Sequence, residues 1–215
     1  MHRSIVALCL LPFFLFPPIT GGSEAQREAA KEVISSCWVP AEWVLHRNGL
    51  VRVDLVDDIE DMPFRVAGCS VPGEGIKVKA GYDNWRLGAR VRWDWGYPSP
   101  IFKDVICHEW GHQIYDSLAP EWREAWNRRV WWHAGSEVWP HPCEGFAENV
   151  RLVLYPREMR WRDITVNPIP MMPEGEFKEF LRAAFVGSDP QYFEKERSRW
   201  WEAPTGIPWF QLGVD

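Results

Sequence analysis

The sequence predicts an α+β domain in which a small, mainly antiparallel sheet packs on two helices that carry the chemistry. Three observations predict it. Segments with two-residue alternation of apolar and polar side chains gather between positions 50 and 95, separated by Gly, Asp, Asn and Pro turns. Two later segments, at about 100–118 and 142–154, carry helical spacing and hold the His and Glu residues. The chain has 215 residues, enough for one domain with a substantial core, expected over residues 23–215.

At the start, Met1 to Thr20 opens with His2 and Arg3, then runs apolar from Ile5 to Phe16 before small residues at Thr20 to Ser23. This is the pattern of a secretory leader over residues 1–22, with cleavage near Gly22 or Ala25. The run is too short, and too broken by prolines, to span a bilayer comfortably. The expected location is therefore secreted or periplasmic, without stable membrane insertion after processing. A first helix is expected over Glu24 to Ser36, with Ala29, Val33 and Ile34 on one face.

Strands follow. Leu50–Val56 sets Val51, Val53 and Leu55 against Arg52 and Asp54; Gly75–Ala80 sets Ile76, Val78 and Ala80 against Lys77 and Lys79. Ala89–Trp95 alternates most cleanly, with Ala89, Val91, Trp93 and Trp95 on one side.

The segment Pro100–Leu118 reads as a helix, capped by Ser99 and with proline at its first position. It contains Cys107-His108-Glu109-Trp110-Gly111-His112. At 3.6 residues per turn, His108 and His112 lie one above the other, and Glu109 sits about 100° around the cylinder. Two imidazoles so placed can hold a zinc ion, with a carboxylate beside it to serve as base. The continuation is not that of the three-histidine zinc enzymes: Tyr115 and Leu118 stand where a glycine and a third histidine would be needed. A third ligand must come from later in the chain. Pro142 can open a helix in which Glu144 and Glu148, four apart, share a face before Pro156 ends the run.

The pair His108-Glu109-Trp110-Gly111-His112 and Glu144-Gly145-Phe146-Ala147 resembles the motifs of the gluzincin metallopeptidases, the thermolysin and zinc-aminopeptidase kindred. The resemblance covers about a quarter of the chain, and it implies a zincin-like fold. It also implies that Glu144 is the third zinc ligand and that Glu148 takes the other ring nitrogen of His108, raising its basicity. Glu148 is longer than the usual aspartate, so the reverse assignment, Glu148 as ligand and Glu144 as helper, stays open. The spacing between the two motifs is also longer than in thermolysin. In such enzymes the edge strand nearest the cleft binds extended substrate by strand addition. Ala89–Trp95 is the first candidate for that role here, and Gly75–Ala80 the second.

The inserted length holds a further helix, Glu121–Trp132, whose stripe of Trp122, Trp126 and Val130 reads as core rather than as a cleft wall. Two more helices are expected at about Glu174–Phe185 and Pro190–Trp201, then a Pro-rich tail. His133, His141, Tyr115, Tyr155 and Tyr192 could each donate to an oxyanion, and no spacing rule selects among them. Asp104 and Asp116 flank the histidine stripe at four-residue steps; they read as solvated helix charges, with a role as partners behind the histidines as the alternative.

After removal of the leader with Cys9, four cysteines remain: Cys37, Cys69, Cys107 and Cys143. In an exported chain an even number suggests two disulfides. The favoured pairing is Cys37–Cys69 with Cys107–Cys143, the latter joining the positions just before His108 and Glu144. Cys69-Ser70-Val71-Pro72-Gly73 faintly resembles the cysteine-switch segment of matrix metalloproteinases, but those belong to the three-histidine branch, and a structural cystine is the better reading.

The formal charge is −6, from 24 basic and 30 acidic residues, which argues against nucleic acid as partner. The function implied is a secreted zinc-dependent peptidase holding one zinc per chain. Glu109 would be general base, endopeptidase the first expectation, a peptide or protein the substrate and a monomer the state. The competing expectation is an exported binding module for cell wall, glycan or protein, suggested by fifteen tryptophans, with a structural or vestigial zinc site.

Overall fold

The computed structural model describes residues 16–49, 51–57, 67–80, 100–130, 141–159, 171–187 and 190. It has the α+β class expected. Among these residues the strands are β1 (Ile19–Gly21), β2 (Arg52–Val56), β3 (Gly68–Val71) and β4 (Gly75–Lys79). The helices are α1 (Glu24–Ser36), α2 (Ala41–Asn48), α3 (Pro100–Ser117), α4 (Pro120–Val130), α5 (Pro142–Asn149) and α6 (Glu174–Val186). No helix among the described residues is long and apolar enough to cross a membrane.

The sheet order is β1-β2-β4-β3. β1 and β2 run parallel, as do β2 and β4, and only β3 and β4 are antiparallel. The expectation of a mainly antiparallel sheet is thus corrected. Alternation reports which face a residue takes, not the direction of its neighbour; here α1 and α2 carry the chain back between β1 and β2, as a parallel pair requires. β2 and β4 interleave the expected residues, with Val53, Leu55, Ile76 and Val78 buried. The segment Ala89–Trp95 lies outside the described residues, as do Ser99, His133, Tyr192 and all of the expected last helix but Pro190.

α1 begins with a reciprocal cap. The Ser23 hydroxyl accepts from the Gln26 backbone N–H, and the Gln26 side chain accepts from the Ser23 N–H at 2.7 Å. The expected leader boundary at Gly22 falls between β1 and this cap, so a cut there would strip β1 from the sheet.

α3 is the axis of the fold. It packs on α1, α2, α5, β3 and β4, and buries Phe102, Ile106, Trp110 and Ile114 almost completely. A helix enclosed on so many sides carries polar residues inward only where they have partners. α5 lies alongside α3 and continues as a wider π-helical turn over Val150–Leu154. An aromatic cluster joins α4, α5 and α6: Trp126 meets Phe146 edge-on at 5.1 Å between ring centres, and Trp122 meets Phe180 at 5.1 Å. The Trp122–Trp126 stripe is therefore core.

None of the four described cysteines is joined in a disulfide. Cys37 is buried beside Tyr155, which helps set its thiol environment; burial pushes that thiol up to about 12. The Cys107 thiol donates to the Met159 carbonyl at 3.6 Å, whereas the Cys143 thiol lies at His112. The expected pairs, Cys37–Cys69 and Cys107–Cys143, are not formed. Cys107 is sequence-adjacent to His108, but the next position on a helix is rotated by about 100°, which sends it into the core instead of toward the second helix.

Candidate metal centre

His108, His112 and Glu144 converge. Their donor atoms all lie within 4.8 Å of one another, so the cluster could hold a metal ion. His108 Nε2 is 3.2 Å from His112 Nε2 and 3.1 Å from Glu144 Oε2, and His112 Nε2 is 3.5 Å from Glu144 Oε1. A tetrahedral ion with donor bonds of about 2.0–2.1 Å has donor–donor edges of roughly 3.3–3.4 Å. The separations are of that size, although they run to different oxygens of Glu144, so the residues fit a metal ion held by two imidazoles and a carboxylate.

The helices make this convergence possible through one close approach. Gly111 and Ala147 face each other where α3 meets α5, and a Cβ built on Gly111 would lie 2.7 Å from Ala147 Cα. Only glycine lets the backbones come this near, which explains a helix that runs through Gly111 without a break.

The two glutamates of α5 have different partners. His108 Nδ1 lies 2.8 Å from Glu148 Oε1, so that the Nε2 edge of the ring faces the cluster. Arg151, from the π-helical turn, grips the same carboxylate with Nε at 3.1 and 3.2 Å from its two oxygens and Nη2 at 2.7 Å from Oε2. Its Nη1 reaches Asp104 Oδ1 at 2.7 Å. Both oxygens of Glu148 are thus engaged, while Glu144 faces both imidazole tips. Glu144, not Glu148, is the glutamate in the cluster that could hold an ion, and Glu148 lies at the other ring nitrogen of His108. Asp104, read as a solvated charge, closes a buried chain from His108 through Glu148 and Arg151. Arg151 stands three residues after Glu148, an ordinary helix-neighbour spacing that could have found it, but the surrounding Val150, Leu152, Val153 and Leu154 read as an apolar run.

Electrostatics follows the geometry. Burial alone would lower both histidines, but Glu144 and Glu148 hold His108 well above its ordinary value, and hydrogen bonds with Cys143 and Glu144 hold His112 up at about 9. Burial opposes charge on Glu144 and Glu148 too, yet the histidines, and Arg151 for Glu148, hold both carboxyls far below the usual range, Glu148 at about 2. A bound cation would displace the imidazole protons and take over their role as counter-charge.

Glu109 stands apart. It is 7% exposed and makes no hydrogen bond among the described residues. Burial raises its carboxyl, only partly offset by His108 and His112. Its side chain lies against Gly68 in β3, where an added Cβ would come within 2.8 Å of Glu109 Cγ. Of the remaining candidates, Tyr115 is committed to Asn127 Oδ1 at 2.7 Å, Tyr155 is buried beside Cys37, and His141 is exposed at the start of α5. Asp116 is near enough to His112 to feel its charge, and burial raises its carboxyl.

No protein-family model matches the chain, and no curated protein or solved structure matches it.

Proposed function

We propose that the protein is an exported zinc peptidase of the gluzincin type, with His108, His112 and Glu144 as zinc ligands and Glu109 as general base. The observation that carries this reading is the contrast among the acids. Glu144 belongs to the cluster that could hold the ion, Glu148 is fully occupied behind His108, and Glu109 is buried beside both histidines with no hydrogen bond among the described residues. Asp116, by contrast, lies near His112 alone and is only half-buried. A purely structural metal site has no use for an uncommitted buried carboxylate. The His/His/Glu set suits zinc better than magnesium or calcium, which favour all-oxygen shells. When bound, zinc supplies Lewis-acid polarisation of the scissile carbonyl and makes water a competent nucleophile near neutral pH.

The chain's own residues do the rest. Glu109, its affinity for protons raised by burial, takes the proton from the attacking water and passes it to the departing amine. Glu148, held by Arg151, keeps the His108 ring in place during turnover. β3, with Gly68 against Glu109, is the edge along which an extended peptide can pair. Of the strands expected from the sequence, Gly75–Ala80 is interior between β2 and β3, and Ala89–Trp95 lies outside the described residues. The binding-module alternative stays the second reading: of the described tryptophans Trp110, Trp122 and Trp126 are buried and Trp43 is exposed.

The test is Glu109→Gln in the zinc-loaded protein, assayed on a peptide library. Cleavage is expected to fall by a factor on the order of 10²–10⁴ while one zinc per chain is retained. Undiminished cleavage by this variant would remove Glu109 from the mechanism.

A further inference from the structure

We propose that the buried amide of Gln113 is a positioning residue for substrate, fixing the outward-facing backbone of β3 relative to the metal helix through Ser70. The kinetic side of this inference rests on the peptidase reading above; its structural side rests on the fold alone.

The direction of the β3 backbone groups can be deduced. The Lys79 N–H donates to the Ala67 carbonyl at 2.9 Å, and the register pairs Gly68 with Val78 and Ser70 with Ile76. In an antiparallel ladder hydrogen-bonded and non-bonded pairs alternate, so residues 67, 69 and 71 turn their N–H and C=O groups toward β4. Gly68 and Ser70 turn theirs to the open edge. No strand among the described residues pairs with that side. A peptide adding to β3 would therefore bond to these two residues.

The same two residues are the ones anchored to α3. Gly68 packs on Val105 and Glu109. The Ser70 hydroxyl accepts from Gln113 Nε2 at 2.7 Å, one turn beyond Glu109 on the same helix. That amide nitrogen is also 3.2 Å from the carbonyls of Val71 and Gly75, which bracket the turn into β4. On its other side, Asn48 Nδ2 donates to the Gln113 backbone carbonyl at 2.8 Å and reaches its Oε1 at 3.3 Å, so the amide is oriented with its N–H groups toward the hairpin. Gln113 is fully buried. An apolar side chain would fill this space without the desolvation cost of an amide, so what the amide adds is register. β3 needs it: the strand has four residues, all only half-buried, and little apolar packing to hold it.

The experiment uses the full zinc-loaded protein and three variants: Gln113→Leu, Ser70→Ala and, as control, Asn127→Ala, which deletes the acceptor of the Tyr115 hydroxyl between α3 and α4. Kinetics on an extended peptide and amide hydrogen exchange over residues 67–71 are read together. Ser70→Ala and Gln113→Leu are expected to raise KM about tenfold with kcat changed less than about threefold. Exchange in that segment is expected to speed up about tenfold, with zinc content unchanged. Asn127→Ala is expected to change neither KM nor that exchange. Unchanged KM and exchange in Ser70→Ala, or equal changes in the control, overturn the proposal. If Gln113→Leu fails to fold, Ser70→Ala decides, because it deletes a single hydroxyl. If the wild-type protein cuts no peptide, the peptidase reading fails by itself; faster exchange in Ser70→Ala than in the control then supports the clamp, and equal exchange overturns it.

Discussion

Arg151 shows how a residue that never reaches the cluster can decide what the cluster is. Without it, Glu148 and Glu144 would be two carboxylates one helical turn apart, each long enough to compete for the same ion. The guanidinium removes one competitor by occupying both its oxygens, and the carboxylate so fixed sets the tautomer of His108. A lysine keeps the charge but not the planar fork. Arg151→Lys is therefore expected to weaken zinc binding by about 10–100-fold, measured by competition with a chromophoric chelator, while circular dichroism stays that of the folded protein. Unchanged zinc affinity would show that the grip on Glu148 is incidental to the site.

Helix placement rests on small residues as much as on ligands. A methyl group on Gly111 would meet Ala147 Cα at 2.7 Å and its carbonyl oxygen at 3.0 Å, so α3 and α5 would have to part. Gly111→Ala is expected to cost about 1–3 kcal/mol of stability by overpacking and to weaken zinc binding, because the ligands sit on opposite sides of that contact. Gly175→Ala in α6, where an added Cβ meets nothing within 4 Å, is the control and is expected to be neutral or slightly stabilising in thermal melts. A stable, tight-binding Gly111→Ala protein would refute the close-approach argument. The sequence made some of this legible. The Ala29, Val33, Ile34 face marked α1 over Glu24–Ser36, and the four-residue spacings placed His108, His112, Glu144 and Glu148 on their faces. It did not make β3 legible, since Gly68-Cys69-Ser70-Val71 has neither alternation nor length, nor α2, which has eight residues. Strand direction, the Gln113 link to β3 and the Arg151 contact with Asp104 were hidden for a common reason: each depends on which distant segments become neighbours.

Taken whole, the molecule wraps a polar seam in an apolar shell. Asp104, His108, Glu109, His112 and Gln113 occupy successive turns of α3, while Phe102, Ile106, Trp110 and Ile114 fill the core from the same helix. Such a seam is costly to enclose unless its charges answer one another, and an ion bound by His108, His112 and Glu144, as proposed, would help to balance it. Two thiols lie nearby, Cys143 at His112 and Cys69 within electrostatic reach of Glu109, and neither belongs to the cluster whose donors lie within 4.8 Å of one another. X-ray absorption at the zinc edge of the loaded protein reads the donor set directly. Two imidazole nitrogens and carboxylate oxygen at about 2.0–2.2 Å, with no sulfur near 2.3 Å, are the predicted environment. A sulfur shell, or a site lacking histidine scattering, would contradict the assignment of His108, His112 and Glu144.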